Sequence, residues 1–188
     1  GLIMTVVVQS SSATIAVLQN FATQAGPDGI HSVIGLAGAI PILLGDNIGT
    51  TITAILASIG QSKNAKRTAV AHSVFNITGS IVFLFFIPVL VNFVQFISPK
   101  GPETDVISRQ IANAHTTFNV VCTLVWLPLI PLMVKIVSFL VGGKDVSELK
   151  ESQPQFIDDN LISQPIVSIC MSSKEISRLS DNAKDMLV

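Results

Sequence analysis

The apolar residues of this chain fall into long runs that are separated by short polar stretches. Two runs, Ala69–Ile97 and Gln110–Val134, contain no Asp, Glu, Lys or Arg, and a third, Gly29–Ile59, is apolar except for Asp46. Each run is long enough to cross a bilayer as a helix, which takes about 20 apolar residues. The pattern therefore predicts an all-α, polytopic membrane protein.

A shorter apolar run, Gly1–Ala22, is interrupted by the polar sequence Gln9-Ser10-Ser11-Ser12. A polar break inside a membrane is tolerated only where it is buried in protein or lines a cavity. Discontinuous helices of this kind build the binding sites of many secondary transporters. We therefore expect a discontinuous or re-entrant helix in this region.

The charges between the runs predict how the helices cross the membrane. The segment 61–68 carries three basic residues and no acidic one, so the positive-inside rule places it in the cytoplasm. The segment 98–108 has one Lys against two acidic residues and suits the outside. Lys135 and Lys144 mark the next exit, again on the cytoplasmic side. One crossing out and one crossing back satisfy these positions, and the C-terminal tail is then cytoplasmic.

Two of the apolar runs resemble each other. Ala69–Val94 and Ala112–Val137 share a His-x-x-Phe-Asn motif and a later Pro at an offset of 43 residues, which pairs His72 with His115, Asn76 with Asn119 and Pro88 with Pro131. Internal repeats are common in secondary transporters, and the topology above makes these two helices antiparallel. We interpret each His as lying near a helix start and hydrogen-bonding a neighbouring segment, with a proton-linked role as the alternative. Each Pro is interpreted as a kink.

Composition agrees with a membrane location and divides the chain. Only 12% of the residues are charged and 49% are hydrophobic, whereas soluble domains have about 25% charged residues. Residues 142–188 hold 5 of the 11 basic and 8 of the 12 acidic residues. We expect a membrane part at 1–141, a cytosolic linker at 142–173, and the start of a cytosolic helical domain at 174–188. In that last segment apolar residues recur at helical spacing, at Ile176, Leu179, Ala183 and Met186 or Leu187.

Two further observations exclude other kinds of protein. The net charge of −1 argues against a nucleic-acid partner, which would favour a basic stripe. The two cysteines, Cys122 and Cys170, have no metal-ligand spacing, and Cys122 lies in an apolar run where it behaves as a small hydrophobic residue.

The first candidate site is Gln9-Ser10-Ser11-Ser12. These residues offer one amide and three hydroxyls in succession inside a membrane segment. Such oxygens can replace the hydration shell of a small cation, and the same groups can donate to an oxyanion. The alternative is that small polar residues only allow helices to pack closely.

The second candidate site is the segment from Gly45 to Thr51. Two glycines four residues apart would allow the helix to open, so that Asn47, Thr50 and Thr51 could supply oxygens and backbone groups. Asp46 is a carboxylate in a membrane segment, which costs at least about 2.5 kcal/mol at a helix centre and is functional by default. The alternative is a Gly-x-x-x-Gly packing face with an Asp near an interface.

These two motifs together resemble the repeated core of the sodium/phosphate cotransporter family, in its bacterial-type members. The resemblance covers about 1–141 and implies one half of an inverted-repeat transporter, here the second half that contains Gln-Ser-Ser-Ser. The tail resembles the approach to the PhoU-like helical domain that follows in many relatives. The chain has one Gln-Ser-Ser-Ser where the family has two, so we expect that an N-terminal half of the same transporter is missing. It also has Asp46 where members often have Ala.

The resemblance implies which residues bind the substrate and the coupling ion. The residues that would line the sodium and phosphate sites are Gln9, Ser10, Ser11, Ser12, Asn47, Thr50 and Thr51. We add Asp46 on physical grounds and assign sodium to Gln9, Ser11, Asp46 and Thr51. We expect Asn76 and Asn119 to contact these ligand residues without contacting the ions themselves. Because residues 1–62 contain no Lys or Arg, hydroxyls, backbone N–H groups and co-bound sodium would have to hold the anion.

We therefore expect sodium-coupled uptake of inorganic phosphate across the cell membrane, by a protein that is not an enzyme. It would need no cofactor other than sodium as the coupling ion. Its partners would be phosphate, sodium, the lipid bilayer and the other half of the transporter. Two alternatives remain: a sodium-coupled carrier of another small anion, and a membrane protein that senses phosphate through its cytosolic domain.

Overall fold

The structure is a computed structural model that describes residues 1–143, 156–157 and 165–185, apart from the side chains of Pro165 and residues 182–185. Regular structure in these residues is helical, except for one isolated bridge between Ala25 and Ser32. The chain divides into two compact units, Gly1–Gly143 and Lys144–Val188. The helices are α1 (Leu2–Val8), α2 (Ser11–Ala22), α3 (Gly35–Ala57), α4 (Lys63–Phe85), α5 (Ile87–Ile97), α6 (Glu103–Trp126), α7 (Ile130–Leu140) and α8 (Pro165–Asp185).

Helix α3 forms the centre of the first unit. It has 23 residues, which makes it about 34 Å long at 1.5 Å per residue, and it contacts α1, α2, α4, α5 and α6. Ile40, Leu43 and Leu44 of this helix are each 1% exposed and pack with Ile107 and Phe118 of α6. The core is therefore built around one long apolar helix.

The helices confirm the prediction of an all-α membrane protein. Within the described residues, α3 and α4 are each long and apolar enough to cross a membrane, and the bent pair α6–α7 would make a third crossing. Many large apolar side chains of α4, α5 and α7 are exposed, as a surface in contact with lipid requires.

The break at the polar sequence of the first run is confirmed. Helix α1 ends at Gln9, whose backbone is left-handed with φ 54°, and whose N–H donates to Thr5 O at 2.7 Å. Ser10 is extended, and its hydroxyl accepts from the N–H of Ala13 at 3.3 Å, which begins α2. A polar residue and a helix-capping residue in succession thus end one helix and start the next.

The interpretation of Pro88 and Pro131 as kinks within a helix is corrected, because each lies in the first turn of a new helix. Helix α4 ends at Phe85, and α5 begins at Ile87 with Pro88 in its first turn. Helix α6 ends at Trp126, and α7 continues at an angle of 89° with Pro131 in its first turn. Proline has no N–H to donate within a helix and suits the first turn, where the N–H groups have no acceptor in the helix.

The sequence repeat has a structural counterpart. Helices α5 and α7 each have 11 residues, and they begin at Ile87 and Ile130, which lie 43 residues apart. Gly79 of α4 and Cys122 of α6 are also 43 residues apart, and a Cβ atom added at Gly79 would lie 2.6 Å from Cys122 Sγ. The two long helices therefore cross at equivalent small residues. Cys122 is 4% exposed, as expected of a small hydrophobic residue.

The two histidines of the repeat do not lie near helix starts, which corrects that part of the interpretation. His72 lies in the middle of α4 and His115 in the middle of α6. Each backbone carbonyl of these histidines accepts from the Asn one turn later, at 3.0 Å from Asn76 and 2.9 Å from Asn119.

Side-chain contacts bring the polar loops together in two groups. Arg67 donates to the carbonyl oxygens of Val141 at 3.2 Å and Gly143 at 2.9 Å, so the start of α4 lies beside the end of α7. Glu103 at the start of α6 accepts from the N–H of Ser32 at 3.1 Å, close to the start of α3. The two regions predicted to be cytoplasmic thus lie together, and the segment predicted to be outside lies beside the loop that precedes α3.

The glycines of the second candidate site do not open the helix, which corrects that expectation. Helix α3 continues without a break through Gly45 and Gly49, and the backbone of α1 packs directly against both. A Cβ atom at Gly49 would lie 2.8 Å from Leu2 O and 2.8 Å from Thr5 Cβ. The alternative of a small-residue packing face therefore describes these glycines, although Asp46 between them is buried and not at an interface.

In the second unit the structure describes the helix α8 and two residues before it. The helix begins at Pro165, inside the segment predicted as linker, and Met186 and Leu187 lie outside the described residues. Glu175 is 6% exposed, and it accepts from Arg178 Nε at 2.9 Å and from the N–H of Phe156 at 3.1 Å. The assignment of this unit to a PhoU-like domain stays a prediction.

Candidate functional site

The first part of the candidate site is a helical hairpin, α1–α2, that packs on α3. Leu2 lies beside Gly45 and Thr5 beside Gly49, so α1 runs in the same direction as α3. After the turn at Gln9 and Ser10, α2 leads back to the start of α3, where Ala22 O accepts from the Ser32 hydroxyl at 2.6 Å. The hairpin therefore holds its polar turn at a fixed position along α3.

The turn of the hairpin presents hydrogen-bond donors. The first N–H groups of α2, those of Ser11 and Ser12, have no acceptor within the helix, because the first helical bond is from Thr14 N to Ser10 O. The side chains of Gln9 and Ser12 are exposed, and that of Ser11 is half-buried. The positive end of the α2 dipole adds to these donors, which together form a surface suited to an anion.

The hydroxyls on α3 donate their protons within the helix and so leave acceptors, in contrast to the donors at the turn. Thr50 donates to Asp46 O at 3.0 Å, Thr51 donates to Ile48 O at 2.7 Å, and Thr53 donates to Thr50 O at 2.7 Å. A hydroxyl has a single proton, so each of these oxygens is left with lone pairs only. They can accept a hydrogen bond or coordinate a cation, and they cannot donate to an anion.

Asp46 is buried against the hairpin. It is 1% exposed, and its Oδ1 accepts a hydrogen bond from the hydroxyl of Thr5 on α1. Its second oxygen, Oδ2, is buried and has no hydrogen-bond partner among the described residues. A buried carboxylate oxygen is costly unless it is paired, so this atom is available for a cation or a proton.

Asn47, the next residue, faces a different helix. It is 4% exposed, and its Oδ1 lies 3.2 Å from His115 Nε2 of α6. Its amide nitrogen Nδ2 is also buried without a partner in the part of the chain that the structure describes. Asp46 Oδ2 and Asn47 Nδ2 are therefore the atoms of the site that a bound ligand would pair.

The remaining predicted residues support the helices. Asn76 is buried on α4 and Asn119 is half-buried on α6, and each uses its amide N–H on its own helix. Asn119 adjoins the site through His115, whose carbonyl it contacts. In the described residues, neither Asn hydrogen-bonds to Gln9, to the serines that follow it or to the predicted residues of α3.

The structure brings some of the predicted residues close to one another, and it places two further residues, Thr5 and His115, in contact with the site. Among the described residues no hydrogen bond joins the turn of the hairpin to the predicted residues of α3, so the two groups remain separate surfaces. Thr5 and His115 contact the site from 41 and 68 residues away in the sequence. Thr5 could have been noticed as the one polar residue of an otherwise apolar helix, Leu2–Val8.

Comparison with known proteins identifies the family. The sequence model of a family described as Na+/Pi-cotransporter matches residues 1–123. This match includes the hairpin, α3, α4, α5 and most of α6, and it covers more than half of the chain. The chain belongs to the Na+/Pi-cotransporter family.

Individual relatives are similar to part of the chain. YqeW of Bacillus subtilis, a protein named as uncharacterized, is 38% identical over 99 residues, which are 53% of this chain and 30% of that protein. Sodium-dependent phosphate transport protein 2B of Homo sapiens is 42% identical over 84 residues, 43% of this chain and 11% of that protein. Sodium-dependent phosphate transport protein 2A of Ovis aries is 39% identical over 87 residues, 44% of this chain and 12% of that protein.

The chain therefore spans less than a third of the length of each of these relatives. No solved structure matches the chain.

Proposed function

We propose that this chain is part of a sodium-coupled transporter of inorganic phosphate. The observation that carries the proposal is the division of the polar groups into donors at the α1–α2 turn and acceptors on α3. A cotransporter of a cation and an anion needs both kinds of surface close together. Membership of the Na+/Pi-cotransporter family and the names of the mammalian relatives support sodium and phosphate as the two ligands.

The acceptors are proposed to bind sodium. Asp46 contributes its unpaired Oδ2 and Thr51 contributes a hydroxyl oxygen whose proton is already donated. Gln9 and Ser11 at the hairpin turn are the other proposed ligands. Hydroxyl, amide and carboxylate oxygens are hard ligands that suit a hard cation.

The donors are proposed to bind phosphate. The proposed donors to the oxyanion are the N–H groups of Ser11 and Ser12, the hydroxyls of Ser10, Ser11 and Ser12, and the amide of Asn47. Thr50, whose proton is donated to Asp46 O, is proposed to line the site beside them as an acceptor. Residues 1–62 contain no Lys or Arg, so the protein supplies no cationic side chain here. Sodium then supplies the charge that offsets the anion, which gives a physical reason for coupling, since like charges repel strongly in low dielectric.

A second half of the transporter is proposed to complete the site. The side chains of Gln9 and Ser12 are exposed in this unit, and an inverted second half would cover them. This chain expressed alone should insert into the membrane without transporting phosphate, and co-expression with the other half should restore uptake. Robust transport by this chain alone would contradict this part of the proposal.

The proposed location is the cell membrane, with the loop 61–68 and the tail in the cytoplasm. Cysteines introduced at Lys63 or Lys66 should react with an impermeant label only from the cytoplasm, and one introduced at Glu103 only from outside. Labelling of both loops from the same side would contradict this arrangement.

Uptake by the intact protein tests the function itself. Labelled phosphate should accumulate only when a sodium gradient is present, and excess unlabelled phosphate should compete while dicarboxylates should not. Competition by dicarboxylates instead would favour a carrier of another anion. Phosphate binding without accumulation would favour a sensor.

A further inference from the structure

The contact between α6 and α3 fixes the side chain of Asn47. His115 Nε2 lies 3.2 Å from Asn47 Oδ1. The backbone of α6 is packed into the core at this level, because Ala114 and Phe118 on either side of His115 are both 0% exposed. Asn47 is itself 4% exposed, so it has little room to move once this contact is made.

The direction of this hydrogen bond follows from its chemistry. An amide oxygen can only accept, so in this arrangement His115 Nε2 carries a proton and donates it to Asn47 Oδ1. The amide nitrogen Nδ2 of Asn47 is then turned away from His115. It is buried, and none of the described residues accepts its hydrogens.

The opposite rotamer of the amide would reverse the properties of Asn47. Rotation by half a turn would bring Nδ2 to His115 and direct Oδ1 away from it. In that orientation Asn47 would offer an oxygen, which is a ligand for a cation. In the observed orientation it offers N–H groups, which are ligands for an anion. The form of His115 that carries its proton on Nε2 therefore favours the orientation in which Asn47 serves an anion.

We propose that His115 is a positioning residue that makes Asn47 a hydrogen-bond donor to phosphate. This inference rests on the proposed function and gives it more detail. Adjacent residues of α3 then divide the ligands between them: Asp46 offers an unpaired acceptor to sodium and Asn47 an unpaired donor to phosphate. A donor that is held in place before the anion arrives loses little entropy on binding.

The test is a double-mutant cycle on the intact transporter with His115→Leu, Asn47→Ala and the double variant. His115→Leu should raise the KM for phosphate at saturating sodium by about tenfold, as expected for a weakened hydrogen bond to a charged ligand. The sodium concentration for half-maximal uptake at saturating phosphate should change by less than about twofold, within the scatter expected of independent sites. In the Asn47→Ala background His115→Leu should have no further effect, because it acts through Asn47.

Two further variants control for general damage. His115→Gln keeps an N–H donor at this position and should restore most of the phosphate affinity. His72→Leu makes the same change at the equivalent position of the repeat and should leave the KM for phosphate near that of the unmodified protein. If His115→Leu does not reach the membrane, His115→Phe is measured instead. It keeps a ring at this position but removes the N–H donor, and it should raise the KM for phosphate more than the sodium requirement.

The possible failures are distinguishable. Additive effects of His115→Leu and Asn47→Ala, or a shift in the sodium requirement with an unchanged KM for phosphate, would overturn the role of His115 and leave the proposed function intact. Absence of sodium-dependent phosphate uptake by the unmodified protein would overturn the proposed function and this inference together.

Discussion

The turn between α1 and α2 and the middle of α3 are both rich in hydroxyl and amide groups, but they use them differently. At the turn, the Ser10 hydroxyl accepts from the backbone, and the first N–H groups of α2 have no acceptor within the helix. On α3, Thr50 and Thr51 donate their only protons to carbonyl oxygens of their own helix. The turn is left with donors and the helix with acceptors.

This difference shows that the role of a hydroxyl depends on where its proton goes. A threonine inside a helix readily donates to a carbonyl three or four residues earlier, which is what Thr50 and Thr51 do. A serine that caps a helix accepts instead. The hydroxyls of α3 therefore suit a cation alone, whereas the turn combines N–H groups that suit an anion with the side-chain oxygens of Gln9 and Ser11 that are proposed to bind sodium. Substitutions on α3 can therefore separate the two ligands.

The largest effect is expected at the turn. Gln9→Ala or Ser11→Ala in the intact transporter should reduce sodium-dependent phosphate uptake to background, because both residues are proposed to bind sodium, on which phosphate uptake depends. Membrane insertion should be unchanged, since these small uncharged changes barely alter hydropathy. Uptake and surface labelling should be measured on the same cells.

Thr123→Val is a matched control, because Thr123 is an exposed hydroxyl on α6. It should leave uptake unchanged. Normal transport by both Gln9→Ala and Ser11→Ala would mean that the polar residues of the turn only allow close packing. The turn would then not be an ion-binding surface.

A smaller and more selective effect is expected on α3. Asp46→Asn keeps the size of the side chain and the contact with Thr5, but it removes the charge from the unpaired oxygen. The sodium concentration for half-maximal uptake should rise about tenfold, the effect of losing roughly 1.4 kcal/mol of binding. The KM for phosphate at saturating sodium should change much less.

Uptake measured against sodium at fixed phosphate, and then the reverse, separates these effects. Asp28→Asn is a suitable control, because Asp28 is an exposed carboxylate in the loop before α3. An Asp46→Asn protein with unchanged sodium dependence would refute the assignment of Asp46 to sodium.

The sequence predicts the fold well where the signal is local. The break at Gln9 and Ser10 was expected because a polar sequence interrupts an apolar run, and Ser10 is a good capping residue. The repeat of 43 residues was also visible, and α5 and α7 begin at that offset. In both cases the neighbouring residues alone determine the structure.

The sequence does not predict features that depend on packing. Pro88 and Pro131 lie in the first turn of a helix, whereas Pro41 lies inside α3 without ending it, so a proline alone does not show where a helix ends. The 89° angle between α6 and α7 is likewise not local, because α7 packs against α4. Gly45 and Gly49 are compatible with either an opened helix or a close contact between helices. The structure has the close contact, because the backbone of α1 packs against both glycines.

The candidate site has the same limitation. Its predicted members come from contiguous motifs, whereas Thr5 and His115 reach Asp46 and Asn47 only through the fold. The sequence indicated that His115 would contact a neighbouring segment, and the structure identifies that contact as Asn47.

The smallest effect is expected in the loop before α3, which lies apart from both polar regions. Asp28 accepts from the backbone N–H groups of Ile30 and His31 at 3.0 Å each, and its Oδ2 lies 2.5 Å from His31 Nδ1. The hydrogen bond with the His31 side chain, helped by these backbone bonds, lowers the pKa of Asp28 from 3.8 to about 2. The same pairing raises the pKa of His31 above 6.5.

These two shifts define the pH range in which the pair stabilises the loop. The contribution of Asp28 is present above pH 3.8 and is lost as the pH falls through its folded pKa of about 2. The contribution of His31 is present below pH 6.5 and is lost as the pH rises through its raised folded pKa. Asp28→Asn should therefore lower the melting temperature slightly near pH 5. The difference should become smaller at alkaline pH, where His31 is neutral, while uptake stays unchanged. Thermal unfolding of both proteins across this range provides the measurement. A difference that stays constant from acidic to alkaline pH would show that the ion pair does not cause it, and a change in sodium dependence would show that the loop is not separate from the site on α3.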